Sequence, residues 1–447
     1  MLKKKFDLII KNKISCFNKT IKVDADKSIS IRSFLLGAIS KNTSTAKNVL
    51  ESEDVFSSIK CLKKLGVQIY KNSNKYIIKG KGLTALSSGK NCSLNFGNSG
   101  TLARLLIGIL STTPNIHIKM TGDHSLKKRN MKSLIILMNK FGANFFPKNK
   151  FTFPLKMISS NNANGINYKA GVSAQLKSAV ILAGLNANGK TRVIENNESR
   201  NHTENILSKN SNVINIKRKR KKVITIFGKK TLKPLNIDVS GDPSSAAFFT
   251  ALTLLNKNSL LKIKNVGLNP TRIGFYKLLK KQNAKIKFQK TRIINSEDVG
   301  DIIVKSCKLK PIIASKEFYV NSTDEYPILF VMAALIKGVS KFKGIGDLAN
   351  KESNRISEMQ KILKQLGVKS IFSQDQIKIF GKGMIDASRK KIFISNLGDH
   401  RICMSAFVLS LLTGAKTKIK NFETVFTSSP SFLKIMKTLG AKYEITK

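Results

Sequence analysis

The residues able to bind anions or move protons fall in six short polar loops, each leading into an apolar, helix-like stretch. In the first, Asp26-Lys27-Ser28-Ile29-Ser30-Ile31-Arg32 precedes Phe34–Ala38. Ser28 and Arg32, four apart, share a helix face. With Lys27 and the free N–H groups of a helix start they make an anion-binding set. The same residues also fit a capping serine among solvated cations. In the second loop, Gly97-Asn98-Ser99-Gly100-Thr101-Leu102-Ala103-Arg104 is a glycine-rich turn whose backbone can approach an anion closely. It lacks the Gly-Lys-Ser/Thr ending of a Walker loop. Gly122–Arg129 adds a basic segment containing His124.

The third loop carries Ser173-Ala174-Gln175, followed by Ser199-Arg200, a hydroxyl–guanidinium pair suited to phosphate and placed to begin a further helix. In the fourth, Asp242-Pro243 reads as a helix cap and first turn with a structural role. The fifth holds Asp324-Glu325 and then Lys351-Glu352-Ser353-Asn354-Arg355, where Lys351 and Arg355 at helical spacing flank a carboxylate. Carboxylates in a field of cations suit acid/base work, although an exposed i,i+4 cluster has the same pattern. The sixth is Gly398-Asp399-His400-Arg401. If the six helix starts converge, Lys27, Arg32, Arg104, Arg129, Arg200, Lys351, Arg355 and Arg401 would hold a multiply anionic ligand.

The elements that position these loops repeat. A helix-like segment ends in Gly or Asn before Val or Ala at Gly66, Gly142, Asn212, Asn283, Gly367 and Gly440. Gly and Asn suit the left-handed residue that closes a helix. The loop positions Ser28, Asn98, Ser173, Asp242, Asp324 and Asp399 keep the same spacing. Two markers in step predict six copies of one unit, each with two helices and several strands. Their spacing is too long for an eightfold barrel.

The chain of 447 residues, 41% of them hydrophobic, is long enough for two or three cores. Five scattered cysteines, with no Cys-x-x-Cys pair, fit a reducing compartment and no zinc or disulfide framework. No apolar run is long enough to span a membrane, and Tyr326–Ile336 reads as a buried helix. The first residues do not form a secretory signal, so the expected location is the cytoplasm. The formal net charge of +54 raises nucleic-acid binding as a reading. Yet the charge is spread along the chain. Its densest run, Lys217–Lys222, sits at a predicted hairpin turn between Val213–Ile216 and Val223–Phe227, without an aromatic ladder.

Taken in order, Asp26-Lys27-Ser28-Ile29-Ser30-x-Arg32, Gly97-Asn98-Ser99-Gly100-Thr101-x-x-Arg104, Ser125-Leu126-x-x-Arg129 and Ser173-x-Gln175 form the first half of a pattern. Ser199-Arg200-x-His202-Thr203-Glu204, Asn269-Pro270-Thr271-Arg272, Lys351-Glu352-Ser353-x-Arg355 and Asp399-His400-Arg401 complete it. Over nearly the whole chain this series resembles the 5-enolpyruvylshikimate-3-phosphate (EPSP) synthase family. The resemblance implies an α/β fold of two domains, each of three βαβαββ repeat units in an inside-out α/β barrel, closing on a cleft. The domains would be residues 21–237, and 1–20 with 238–447.

It also implies transfer of the enolpyruvyl group of phosphoenolpyruvate to the 5-hydroxyl of shikimate-3-phosphate, with release of phosphate and no metal or organic cofactor. Lys27, Asp324 and Glu352 would be catalytic. Lys27, Ser28, Arg32, Ser173, Gln175, Ser199, Asp324 and Lys351 would hold shikimate-3-phosphate. Lys27, Gly100, Arg129, Gln175, Arg355 and Arg401 would surround phosphoenolpyruvate. A monomer with small anionic substrates, and neither nucleic acid nor membrane as partner, is expected. The alternatives are a UDP-N-acetylglucosamine enolpyruvyl transferase, whose mobile-loop cysteine is missing from 112–129, and a non-catalytic basic nucleic-acid-binding protein. The chain departs from the family pattern at Asp24-Ala25, Asn130, Asn354, Thr427 and Ser429.

Overall fold

The computed structural model describes residues 5–218, 220–395 and 398–446. It divides into two compact units. One consists of Ala25–Val239 with Ile294–Glu297; the other of Met1–Asp24, Ser240–Ile293 and Asp298–Lys447. The expected boundary at 20/21 moves to 24/25 for a local reason. Ile21 and Lys22 complete a strand, Asn18–Lys22, that pairs in parallel with Leu260–Gly267.

Each unit holds three inner helices. In the first unit they are Lys27–Ile39, Gly100–Ser111 and Ala174–Asn186; in the second, Pro243–Leu255, Tyr326–Leu335 and His400–Thr413. These helices are apolar on nearly every face, as helices surrounded by protein must be. Every residue of Tyr326–Leu335 and of His400–Thr413 is buried. In the second unit the three inner helices pack pairwise; in the first, Gly100–Ser111 packs on both of the others.

Each repeat has a second helix, amphipathic in Glu53–Lys64, Gly274–Lys281 and Arg355–Gln365. Glu53–Lys64 shows why it forms. Acidic Glu53 and Asp54 occupy its first turn and Lys63 and Lys64 its last, each complementing the helix dipole. Val55 and Leu62 turn inward. Gly66 then takes a left-handed conformation (φ 83°) that a β-carbon would strain. Gly142, Asn283, Gly367 and Gly440 do likewise, but Asn212 does not. The third repeat's helix, His202–Leu207, is short and ends through the turn Asn210 N–H to Leu207 O. Asn212 instead donates its side-chain amide to Thr231 O at 2.9 Å.

Among the described residues six four-stranded sheets surround the inner helices, three per unit, and no hydrogen-bonded barrel closes. Each begins with a parallel pair and continues antiparallel, as in Ser93–Asn95 beside His117–Thr121 beside Leu155–Ile158 beside Asn144–Phe146. Two sheets of the second unit draw strands from the chain's N-terminal region. Asn18–Lys22 takes an edge, and Asp7–Ile10 lies between Lys416–Ile419 and Tyr443–Thr446.

Three sequence readings change. The cap of Lys27–Ile39 is Asp26, whose Oδ1 accepts from Ile29 N–H at 2.9 Å, so Ser28 lies inside the helix. Lys351 precedes the helix Arg355–Gln365, which Asn354 caps. The basic run is part strand, because Arg218 pairs with Lys222 across the ladder, and Lys222 is buried; Lys219 lies outside the described residues. Among the described residues no helix is long and apolar enough to cross a membrane.

Candidate active site

In the first unit, Gly100 opens a helix whose cap, Ser99, accepts from Leu102 N–H at 3.3 Å. A β-carbon on Gly100 would stand 2.8 Å from Nη1 of both Arg104 and Arg129. Glycine is what allows two guanidinium groups to crowd this helix start. Arg104 Nη1 donates to Gln175 Oε1 at 2.8 Å, and Gln175 Nε2 donates to Thr101 Oγ1 at 3.0 Å. Arg129 Nη2 donates to Asn98 Oδ1 at 2.7 Å. The structure therefore brings Gly100, Arg129 and Gln175 together. It adds Asn98, Thr101 and Arg104 as the scaffold, a role the sequence motif contains without revealing.

Arg32 is buried. Its Nε donates to Thr203 Oγ1 at 2.8 Å, its Nη2 to Ser178 Oγ at 3.2 Å, and its Nη1 to Ser28 O at 3.0 Å. Lys27 forms a 3.1 Å ion pair with the buried Asp54. Asp54 was not singled out from sequence; its first-turn acidic signal is common to many helices. Ser173 caps Ala174–Asn186. Ser199 is buried, and its hydroxyl and N–H both donate to Glu195 Oε1, at 2.8 and 3.1 Å. Ser199 and Arg200 precede the helix His202–Leu207 rather than beginning it. Behind Ser199, the fully buried Lys177 donates to Ser199 O at 3.2 Å and pairs with Glu195 and Glu204 at 2.9 and 2.7 Å.

In the second unit, one guanidinium organises three carboxylates. Arg355 is 2% exposed. Its Nε donates to Asp399 Oδ2 at 2.9 Å, its Nη2 to Glu352 Oε2 at 2.8 Å, and its Nη1 lies 3.7 Å from Asp324 Oδ1. Burial alone would lower the guanidinium's proton affinity. Asp399 first, then Glu352 and Asp324, hold it well above the ordinary value instead. Asp399 also receives Ser353 Oγ–H at 3.0 Å and, as helix cap, Arg401 N–H at 2.9 Å. Asp399 thus ties the 352–355 segment to the start of His400–Thr413.

Arg401 lies over the Phe248 ring, 5.8 Å from its centroid, with Nε and Nη1 buried and without a hydrogen-bond partner among the described residues. Lys351 pairs with Asp347, which also accepts from the Tyr319 hydroxyl. Among the described residues no group of three or more His, Cys, Asp or Glu is arranged to hold a metal ion.

Several departures from the family pattern carry local hydrogen bonds. Asp24 Oδ2 accepts from Ser429 Oγ at 2.8 Å and Ser431 N–H at 3.0 Å, which pairs one departure with another. Asn130 Oδ1 accepts from Lys132 N–H at 2.7 Å, and Asn354 Oδ1 accepts from Ser357 N–H at 3.2 Å. Thr427 Oγ1 donates to Thr424 O at 2.8 Å.

The fold is that of the enolpyruvyl transferases. The transferase NikO from Streptomyces tendae superposes with a TM-score of 0.75 over 99% of each chain at 12% identity. Within that class the family model for EPSP synthase (3-phosphoshikimate 1-carboxyvinyltransferase) matches residues 11–436, and the chain belongs to this family of transferase enzymes. The 3-phosphoshikimate 1-carboxyvinyltransferase of Bacillus subtilis strain 168 is 35% identical over 97% of this chain and 99% of its own length. That of Petrotoga mobilis is 37% identical, over 94% and 97%. An EPSP synthase structure from Acinetobacter baumannii aligns with a TM-score of 0.85 at 33% identity, covering 99% of this chain and all of its own.

Proposed function

We propose that the protein transfers the enolpyruvyl group of phosphoenolpyruvate to the 5-hydroxyl of shikimate-3-phosphate, releasing phosphate. The observation that carries this reading is the Arg355 cluster. A buried, permanently charged guanidinium holds Glu352 and Asp324 beside it, in a chain of the EPSP synthase family. Shikimate-3-phosphate is held by Lys27, Ser28, Arg32, Ser173, Gln175, Ser199, Asp324 and Lys351. Phosphoenolpyruvate is held by Lys27, Gly100, Arg129, Gln175, Arg355 and Arg401. The crowded cations at Gly100 and the unpartnered guanidinium nitrogens of Arg401 support these assignments, because each offers donors to an anion. Ser199 must release its hydroxyl hydrogen from Glu195 to donate to a phosphate.

Asp324 and Glu352 serve as the proton-transfer pair, with Lys27 assisting. One acid protonates the methylene carbon of phosphoenolpyruvate while the 5-hydroxyl oxygen, losing its proton, bonds to the adjacent carbon. The resulting tetrahedral adduct then loses phosphate and one methyl proton, which restores the double bond. Fixed cations stabilise the anionic groups throughout. The protein works as a cytoplasmic monomer on small anions. Phosphate release from phosphoenolpyruvate, compared with shikimate-3-phosphate and with UDP-N-acetylglucosamine as acceptor, tests the reading. Release only with shikimate-3-phosphate is expected. Release only with the nucleotide sugar, or with neither, overturns it.

A further inference from the structure

The first unit contains a cavity of about 550 Å³ at the end where its inner helices finish, within the size range of small-molecule sites. Thr112 caps the end of Gly100–Ser111, Asn186 is the last residue of Ala174–Asn186, and Lys41 follows Lys27–Ile39; all three line it. Lys27, Gly100 and Gln175 stand at the other ends of these helices, roughly 15–20 Å away along the axes. The cavity is therefore separate from the candidate active site.

Its lining contains lysines and no carboxylate. Lys81 turns aside, its Nζ standing over Gly66. Lys41, Lys229 and Lys230 line the cavity without an ion-pair partner among the described residues. Three ammonium groups around one hollow attract an anion and repel one another.

A second, buried feature narrows the ligand. Asn186 is 3% exposed. Thr113 spends its hydroxyl hydrogen on Ile109 O at 2.9 Å, so its oxygen can only accept from Asn186. That fixes Asn186 Nδ2 on Thr113, at 3.1 Å, and leaves Oδ1 buried with no hydrogen-bond partner among the described residues. A buried acceptor of this kind calls for a donor. Thr112, also buried, commits its hydroxyl hydrogen to Ala183 O at 3.0 Å and likewise presents only an acceptor.

We propose that this cavity is a second ligand site, for a hydroxylated organic acid. The acid groups meet Lys41, Lys229 and Lys230, and binding opens Asn186 Oδ1, which the protein closes to solvent, to a ligand hydroxyl. Citrate is a suitable probe, having three carboxylates and one hydroxyl; tricarballylate has the carboxylates without the hydroxyl. Titration calorimetry on the full chain at low ionic strength should show one saturable citrate site and weaker tricarballylate binding. Reversing two exposed charges together, Lys229→Glu with Lys230→Glu, should weaken citrate at least about tenfold. It should leave the melting temperature and the turnover without citrate unchanged. Asn186→Leu should remove the preference for citrate over tricarballylate. Arg129→Ala, which cripples the proposed active site, should leave citrate binding intact. No saturable binding up to about 10 mM citrate, equal binding by the charge-reversed variant, or loss of binding in Arg129→Ala would each overturn the proposal. None of these outcomes depends on the reaction assigned above.

Discussion

At the scale of single residues, the Arg355 cluster separates chemistry from positioning. Glu352→Gln keeps the hydrogen-bond shape but removes the proton-transfer carboxyl. It should cut kcat far more than it raises either KM, and equal changes in both would remove Glu352 from the chemistry. Asp399 acts through its neighbours, because it holds Arg355, Ser353 and the Arg401 backbone. Asp399→Ala leaves a buried guanidinium short of a counter-charge and should cost about 3–5 kcal/mol in chemical denaturation. Gly100→Ala should displace the Arg104 and Arg129 guanidinium groups and raise the KM for phosphoenolpyruvate more than that for shikimate-3-phosphate. An unchanged ratio of the two would contradict the crowding argument. Lys27, Gln175 and Arg355 were singled out from the sequence as candidates because they sit inside ordered motifs. Asp54 was not, since its partner Lys27 lies in a different element and the pairing depends on folding.

At the scale of elements, the segment around Ser199 rests on a buried ionic network. Lys222 pairs with Glu198 at 2.6 Å and lies 3.5 Å from both Glu195 and Glu204. Burial acts to raise the Glu198 pKa, but its bond to Lys222 and the charges of Lys222 and Arg218 outweigh burial and hold it below its ordinary 4.5. A carboxylate with a depressed folded pKa contributes stability that is present above its unfolded value and lost as pH falls through the folded one. The melting temperature should therefore decline below about pH 4.5, and Glu198→Gln should flatten that decline; an identical profile would exclude Glu198. Lys222 is shifted upward, burial being outweighed by Glu204, Glu198 and Glu195, so its contribution persists until strongly alkaline pH. The sequence disclosed the hairpin here but not the burial of Lys222, because a run of cations reads as solvated until three acids converge on one of its members. The helix start at Asp242-Pro243 was easier, since its cap acts within its own turn.

At the scale of the whole molecule, the net charge of +54 sets a long-range field. Its effect on anionic substrates is screened within about 10 Å at 0.1 M salt. Raising ionic strength should lower kcat/KM for phosphoenolpyruvate while leaving kcat nearly constant; salt-independence would mean that local contacts alone set capture. The sixfold plan was legible because each repeat carries its own helix-ending and loop signals. That residues 1–20 join the second unit came only with the family resemblance, since strand pairing between distant segments leaves no local mark: Asp7–Ile10 and Asn18–Lys22 pair with strands that begin at Lys416 and Leu260.

That pairing has a temporal side. Ribosomes make the strand Asp7–Ile10 more than 400 residues before its neighbour Tyr443–Thr446. At roughly 5–20 residues per second, this strand waits some 20–90 s for a partner. Meanwhile, residues 25–239 already include all three inner helices of the other unit and can collapse first. This strand is thus made well before its partners and is among the last to find its place. Until then its unpaired edges are open to chaperones and to wrong partners.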